Sequence, residues 1–180
     1  MLRITSGLKK NKRLKTPQIE GFRGVQEIVK NAIFSILGEK VENANCLDLF
    51  AGSGNLGLEA LSRGAAQCDF VDENYYSIGA IMENVKDCDF DHRSEITKGS
   101  AVKFAANTEK TYDIIFLDPF YDDTSHVFLM TNLEEILNPQ GKIVFFHGEK
   151  LEIEKVIKNT KLKVETQRKF GRGMFTVLQR

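Results

Sequence analysis

An α/β fold, with a mostly parallel sheet, helices on both faces and a closing antiparallel hairpin, is predicted by three features of this 180-residue sequence. From Cys46 onward, strand-like apolar runs alternate with helix-like stretches, the order that builds parallel sheets with right-handed crossovers. The run Asp113–Leu117 (D-I-I-F-L) is nearly all apolar, as strands buried on both faces tend to be. Between a strand and a helix stands Gly52-Ser53-Gly54-Asn55-Leu56-Gly57, a literal GxGxxG.

The elements follow in chain order. Residues 2–5 and 13–16 suit two short strands of a small hairpin. Val25, Ile28, Val29, Ala32, Ile33, Ile36 and Leu37 share one helical face, and Gly38 offers a C-terminal cap. Cys46–Phe50 reads as a buried strand, followed by the glycine turn and a helix through Arg63 that Gly64 stops. Cys68–Asp72 is a second strand and Tyr75–Lys86 a helix. Glu95–Thr97 is a short third strand with a helix after Ser100. After the fourth strand, Asp113–Leu117, come a helix near Val127–Leu137 and a fifth strand over Lys142–Phe146. Residues 151–159 look helical, and 162–168 with 174–179 form a terminal hairpin around Gly171 and Gly173. Residues 1–40 are thus expected to be a basic extension, a short hairpin plus a helix, and residues 41–180 the main domain.

Composition narrows the class. The chain is 42% hydrophobic, enough for a real core, and no apolar run approaches the roughly 18 residues that span a bilayer. No apolar segment follows the basic start, so no signal peptide is expected and the cytoplasm is the expected compartment. Cys46, Cys68 and Cys88 lack CxxC spacing, which excludes a disulfide framework or a zinc site. His92, His126 and His147 lack metal-ligand spacing, and no metal is expected. The zero formal charge hides segregation: residues 1–15 carry Arg3, Lys9, Lys10, Lys12, Arg13 and Lys15 with no acid. The last twenty residues are also basic, with Glu165 their single acid, so the middle is acidic. Basic ends on an acidic body suit a local polyanion-binding surface; a solvated tail reads equally well from charge alone.

In doubly wound sheets ligands bind beyond the carboxyl ends of the strands, near the point where strand order reverses. Three such loops carry informative residues. The glycine loop lets a ligand approach the backbone beside a helix N-terminus, and this suits either a dinucleotide or S-adenosylmethionine. Asp48, four residues before Gly52, would repel a pyrophosphate and suits the cationic sulfonium compound better. Asp72, 20 residues after the first glycine, can accept from both ribose hydroxyls in either class, or can cap the helix that follows. Ser100 is suited to an adenine edge or to an N-cap.

The fourth strand ends in Asp118-Pro119-Phe120-Tyr121. An exocyclic base amine is a poor nucleophile because its lone pair is delocalised into the ring. Asp118 and the Pro119 carbonyl can each accept one N–H, and Tyr121 can stack on the base, so that rate comes from orientation and electrostatics. A plain turn is the alternative, since Asp-Pro is common in turns.

The run D-L-F-A-G-S-G-N-L-G-L-E-A-L-S-R-G followed by D-P-F-Y resembles the class I amino-methyltransferases of nucleic acids. The start, R-I-T-S-G-L-K-K-N-K-R-L-K-T-P, is similar to that of the RsmD family, the bacterial 16S rRNA guanine-N2 methyltransferases, and the likeness runs from Arg3 to the closing hairpin. It implies a seven-stranded Rossmann-like methyltransferase sheet, S-adenosylmethionine as donor with S-adenosylhomocysteine as product, and a guanine of 16S rRNA as acceptor, free or within a partly assembled small subunit. It further implies that Asp48, Phe50, Ala51, Gly52 and Gly54 line the cofactor, that Asp72 meets its ribose and Ser100 its adenine, and that Asp118, Pro119 and Tyr121 face the guanine. Arg3, Lys9, Lys10, Lys12, Arg13 and Arg23 are expected on RNA phosphates, and a monomer is expected. Three positions depart from the family pattern: Phe120 replaces a second proline, Arg23-Gly24-Val25 replaces Arg-Pro-Thr, and Ser100 replaces an acid or amide. Competing readings are a methyltransferase acting on another nucleic acid or a protein amine, an RNA-binding relative without turnover, and an NAD-binding oxidoreductase.

Overall fold

A computed structural model describes residues 2–119 and 126–180. Phe120 and Tyr121 lie outside the described residues. The first segment folds back on itself through an antiparallel bridge between Arg3 and Arg13. Around the bridge, Ile4 N–H donates to the Lys12 carbonyl and Leu14 N–H to the Leu2 carbonyl. The expected hairpin therefore forms, but as a single bridge rather than two full strands. Its inward side chains, Ile4 and Leu14, are buried.

Helix α1 spans Glu27–Leu37, starting two residues later than the apolar spacing predicts. Strand β1 (Asn45–Leu49) leads through the glycine loop into α2 (Asn55–Ser62). β2 (Gln67–Asp72), α3 (Tyr75–Asp87), β3 (Ser94–Lys98) and α4 (Ala101–Asn107) follow. After β4 (Tyr112–Leu117) come α5 (His126–Glu135), β5 (Leu137–Gly148) and a single helical turn, α6 (Ile153–Val156), shorter than the stretch 151–159 suggests. β6 (Lys163–Phe170) and β7 (Gly173–Gln179) form the terminal hairpin.

Among the described residues the sheet has seven strands in the order β3-β2-β1-β4-β5-β7-β6. β1 to β5 pair in parallel, and β7 is antiparallel to both β5 and β6. The chain winds outward from β1 to β3 and then returns to place β4 on the other side of β1. The switch point therefore lies between the ends of β1 and β4.

Period-two alternation along the strands divides the core. Cys46, Phe70, Ile114, Phe116, Val144 and Phe146 face one layer, packed on α1, α2, α3 and the N-terminal segment through Ile33, Leu58, Ile81 and Ile4. Leu47, Leu49, Val71, Ile115, Leu117 and Phe145 face the other, against α4, α5 and α6 through Ala105, Leu133 and Ile153. No helix among the described residues is long and apolar enough to cross a membrane.

Candidate cofactor and substrate site

The glycine loop is built from backbone that most side chains disfavour. Phe50, Gly52 and Gly54 all have positive φ, at 58°, 58° and 74°, and Gly54 N–H closes a tight turn onto the Ala51 carbonyl at 2.7 Å. Gly57, the last glycine of the motif, serves packing instead. A Cβ there would stand 2.4 Å from Phe70 Cε1 and 2.5 Å from Cys68 Sγ, so its absence lets α2 lie directly on β2.

Two carboxylates hold this loop. Asp48 is buried inside β1, and its Oδ2 accepts from Gly57 N–H at 2.9 Å, within the first turn of α2. Burial pushes the Asp48 carboxyl well up; the nearby charges of Asp118 and Asp72 add to this, and the Gly57 N–H opposes it. Asp72, at the end of β2, is half-buried. Its Oδ2 accepts from Gly52 N–H at 2.8 Å and its Oδ1 from Asn74 N–H at 2.8 Å. The cap of α3 is not Asp72 but Asn74, whose Oδ1 accepts from Tyr76 N–H. Each Asp72 oxygen has one backbone partner and a further lone pair to offer.

At the switch point Asp118 follows β4, and its N–H points to the Leu49 carbonyl at 3.4 Å. The side chain is half-buried, and burial pushes its carboxyl up to about 7. Pro119 behind it is buried. Ser100 precedes α4 and makes no side-chain capping bond, while Gly99 N–H ties its loop to the Asp72 carbonyl at 3.0 Å. Thus Asp48, Phe50, Ala51, Gly52, Gly54, Asp72, Ser100, Asp118 and Pro119 gather at the carboxyl ends of β1, β2, β3 and β4. Among the described residues, no group of three or more His, Cys, Asp or Glu side chains could hold a metal ion.

The basic residues fall into two groups. Arg3 makes a two-pronged ion pair with Glu27, and Lys9 pairs with Asp89 at 2.6 Å. Among the described residues, Lys10, Lys12, Arg13 and Arg23 form no ion pair, and all but Lys12 are well exposed. The segment after the hairpin reaches back over the glycine loop: a Cβ at Gly52 would lie 2.9 Å from Phe22 Cε2. A cleft of about 700 Å³ opens beside it, lined by Leu2, Pro17, Ile19, Phe22 and Gly24. Gly24 has a local reason here, since a Cβ at that position would meet Leu2 Cδ1 at 2.3 Å.

Several structural residues gave no pattern in the sequence. Lys30 is fully buried on α1, where its ammonium donates to the Arg3 carbonyl, Asn55 Oδ1 and Glu59 Oε2 at 2.7–2.8 Å. Glu59, equally buried on α2, also accepts from Thr5, Ser6 and Arg63. Ser62 fixes the hairpin tip, accepting from Leu8 and Lys9 N–H and donating to the Ser6 carbonyl. The one available signal was a lysine on the apolar face of a helix, which calls for a buried partner.

The family described as Conserved hypothetical protein 95 matches residues 2–179. The chain belongs to this family. It is the RsmD family that the motifs of the glycine loop and the N-terminal segment resemble. The chain is 34% identical over 161 residues to the Bacillus subtilis protein named "Putative rRNA methyltransferase YlbH", covering 87% of this chain and 88% of that protein. It is 31% identical over 118 residues to Ribosomal RNA small subunit methyltransferase D of Escherichia coli K12, covering 66% of this chain and 59% of that one. The fold matches the solved E. coli protein titled "Putative methyltransferase yhhF" with a TM-score of 0.86 at 23% identity, over 99% of this chain and 97% of that one. The architecture of this family member is the class I methyltransferase fold, with its closing antiparallel hairpin.

Proposed function

We propose that the chain transfers a methyl group from S-adenosylmethionine to the exocyclic N2 amine of a guanine in 16S rRNA. The observation that carries this reading is the convergence of the braced glycine loop, Asp72 and Asp118-Pro119 at neighbouring strand ends of one switch point. The names of the two relatives above, both rRNA methyltransferases, support the reaction class. So does a solved structure of similar fold titled SMU.776, "a putative methyltransferase complexed with SAH" (16% identity, TM-score 0.69, 81% of this chain and 48% of that one).

The residues present fit the donor. Asp72 has a free lone pair on each oxygen for a vicinal diol, the loop lacks side chains at Gly52 and Gly54, and the buried Ser53 hydroxyl has no partner among the described residues. When bound, the donor supplies an electrophilic methyl group on a sulfonium. The chain's own contribution lies at the acceptor amine. Asp118 and the Pro119 carbonyl each take one N–H of the guanine amine, which localises its lone pair and aims it. As the new C–N bond replaces the donor's S–CH3 bond, whose electrons stay with sulfur as a thioether, the amine becomes cationic; the Asp118 carboxylate stabilises that charge in a half-buried setting and takes the surplus proton. Tyr121 is the proposed stacking partner. Lys10, Lys12, Arg13 and Arg23 lead the set proposed for phosphate contacts, with Arg3 and Lys9 beside them.

The deciding experiment incubates the protein and labelled S-adenosylmethionine with small-subunit particles from cells lacking the modification, then maps the product base. A labelled guanine N2 supports the proposal; label on another base, or on protein alone, replaces it. The oxidoreductase reading is tested by calorimetry, where binding of NADH without binding of S-adenosylhomocysteine would establish it instead.

A further inference from the structure

One buried side chain joins the basic hairpin to the glycine loop. Asn84 lies on α3 and is only 1% exposed. Its Oδ1 accepts from Lys15 N–H at 2.8 Å, and its Nδ2 donates both to the Lys15 carbonyl at 2.9 Å and to the Ser53 carbonyl at 2.9 Å. Both amide protons are thereby used, one on each element.

Both partners of Asn84 lead to a proposed ligand surface. Lys15 closes the hairpin: one residue before it, Leu14 N–H bonds the Leu2 carbonyl, and two before it, Arg13 bridges Arg3. The Lys15 ammonium also reaches down to α3, 2.5 Å from Glu83 and 3.7 Å from Asp87, on either side of Asn84. Ser53 stands between the two positive-φ glycines of the loop, and its hydroxyl is buried without a partner among the described residues. The hairpin end and the loop thus share one fully hydrogen-bonded side chain, beside the Phe22 contact at Gly52.

We propose that Asn84 is a positioning residue that couples RNA engagement by the hairpin to cofactor affinity at the glycine loop. This rests on the reading that the loop holds the methyl donor and that the hairpin meets RNA. Coupling is reciprocal: if rRNA tightens cofactor binding, cofactor tightens rRNA binding by the same factor. The enzyme would then hold its donor firmly only when an acceptor is engaged, which limits idle occupancy of the site.

The test measures by calorimetry the affinity for S-adenosylhomocysteine, alone and with saturating unmodified 16S rRNA. The wild-type protein should bind about 5-fold or more tightly with rRNA present. In Asn84→Ala and in Asn84→Asp, which keeps the acceptor for Lys15 N–H but loses both donated bonds, that factor should fall to about one. A melting curve establishes that each variant is folded. A second readout needs no variant: S-adenosylhomocysteine should slow hydrogen exchange at the Lys15 amide of the wild-type protein. A wild-type factor of one, variants that keep the wild-type factor, or an unchanged Lys15 exchange rate each overturn the coupling alone. A wild-type protein that binds neither ligand overturns the functional reading as well.

Discussion

Gly57 and Asp48 form a bond that runs from the first turn of α2 into the middle of β1, N–H to carboxylate at 2.9 Å. The sequence argument cast Asp48 as a carboxylate compatible with a cationic ligand. In the structure its contact is with the backbone that shapes the ligand's loop. Asp48→Ala strands a buried helix N–H and should cost about 1–3 kcal/mol in urea denaturation. Asp48→Asn keeps an acceptor oxygen without the buried charge, and its stability at neutral pH should stay near wild type or rise. Equal losses in both variants would show that the bond to Gly57 is not what matters.

Asp118 connects activity and stability with opposite signs. Its carboxyl, pushed up to about 7 by burial, must be ionised to receive an amine proton. kcat/KM should therefore rise with pH through an inflection near 7, and Asp118→Asn should remove the inflection and lower the rate about 100-fold. For stability the folded state holds this proton more tightly than the unfolded chain does. Between the ordinary carboxylate range and pH 7 the native state thus binds more protons, and this group's contribution falls as pH rises. Asp118→Asn should consequently raise the melting temperature at pH 8, and a lower one would remove burial as the cause of the shift.

The glycines of α2 and α3 offer a matched pair. Gly57→Ala gains helix propensity of about 1 kcal/mol but drives a methyl into Phe70 and Cys68, both fully buried, at a cost of about 1–3 kcal/mol. A net loss of stability is expected, with weaker binding of S-adenosylhomocysteine. Gly79→Ala on α3 meets nothing within 4 Å and should stabilise by about 0.5–1 kcal/mol. Chemical denaturation of the two variants side by side checks both signs.

Salt dependence separates the basic residues. Lys10, Lys12 and Arg13 form no ion pair among the described residues, so each one neutralised should flatten the log–log slope of rRNA binding by about 0.7–0.9. Arg3 and Lys9 already face Glu27 and Asp89, and their neutralisation should change the slope less. A uniform response across all five would mean that these surface pairs open freely in the complex.

What could be read ahead of the structure was what short-range pattern encodes. The apolar run D-I-I-F-L, the spacing of the strands and the glycine run fixed β1, β2, β4 and their loops almost to the residue. The gathering of Asp48, Asp72 and Asp118 followed from topology alone, because each lies at or just beyond the carboxyl end of a parallel strand. Partners distant in sequence were not legible: Lys30 with Glu59, Ser62 with the hairpin tip and Asn84 with Ser53 are all polar contacts across elements, with no periodicity to reveal them. Boundaries also slipped where tertiary contacts decide them, as at α1, which starts at Glu27, and at α6, which is one turn. That Asp72 holds the glycine loop while Asn74 caps α3 was likewise settled by geometry.

The meeting of Leu2 and Gly24 has a consequence for how this protein can diverge from its relatives. A Leu2 methyl occupies the volume that any side chain at position 24 would enter, so the family's proline there and leucine at position 2 compete for one space. The two positions form a single unit: a side chain at 24 is accommodated only as the Leu2 side chain turns away or shortens. A substitution at 24 is therefore felt 22 residues upstream, at the start of the hairpin.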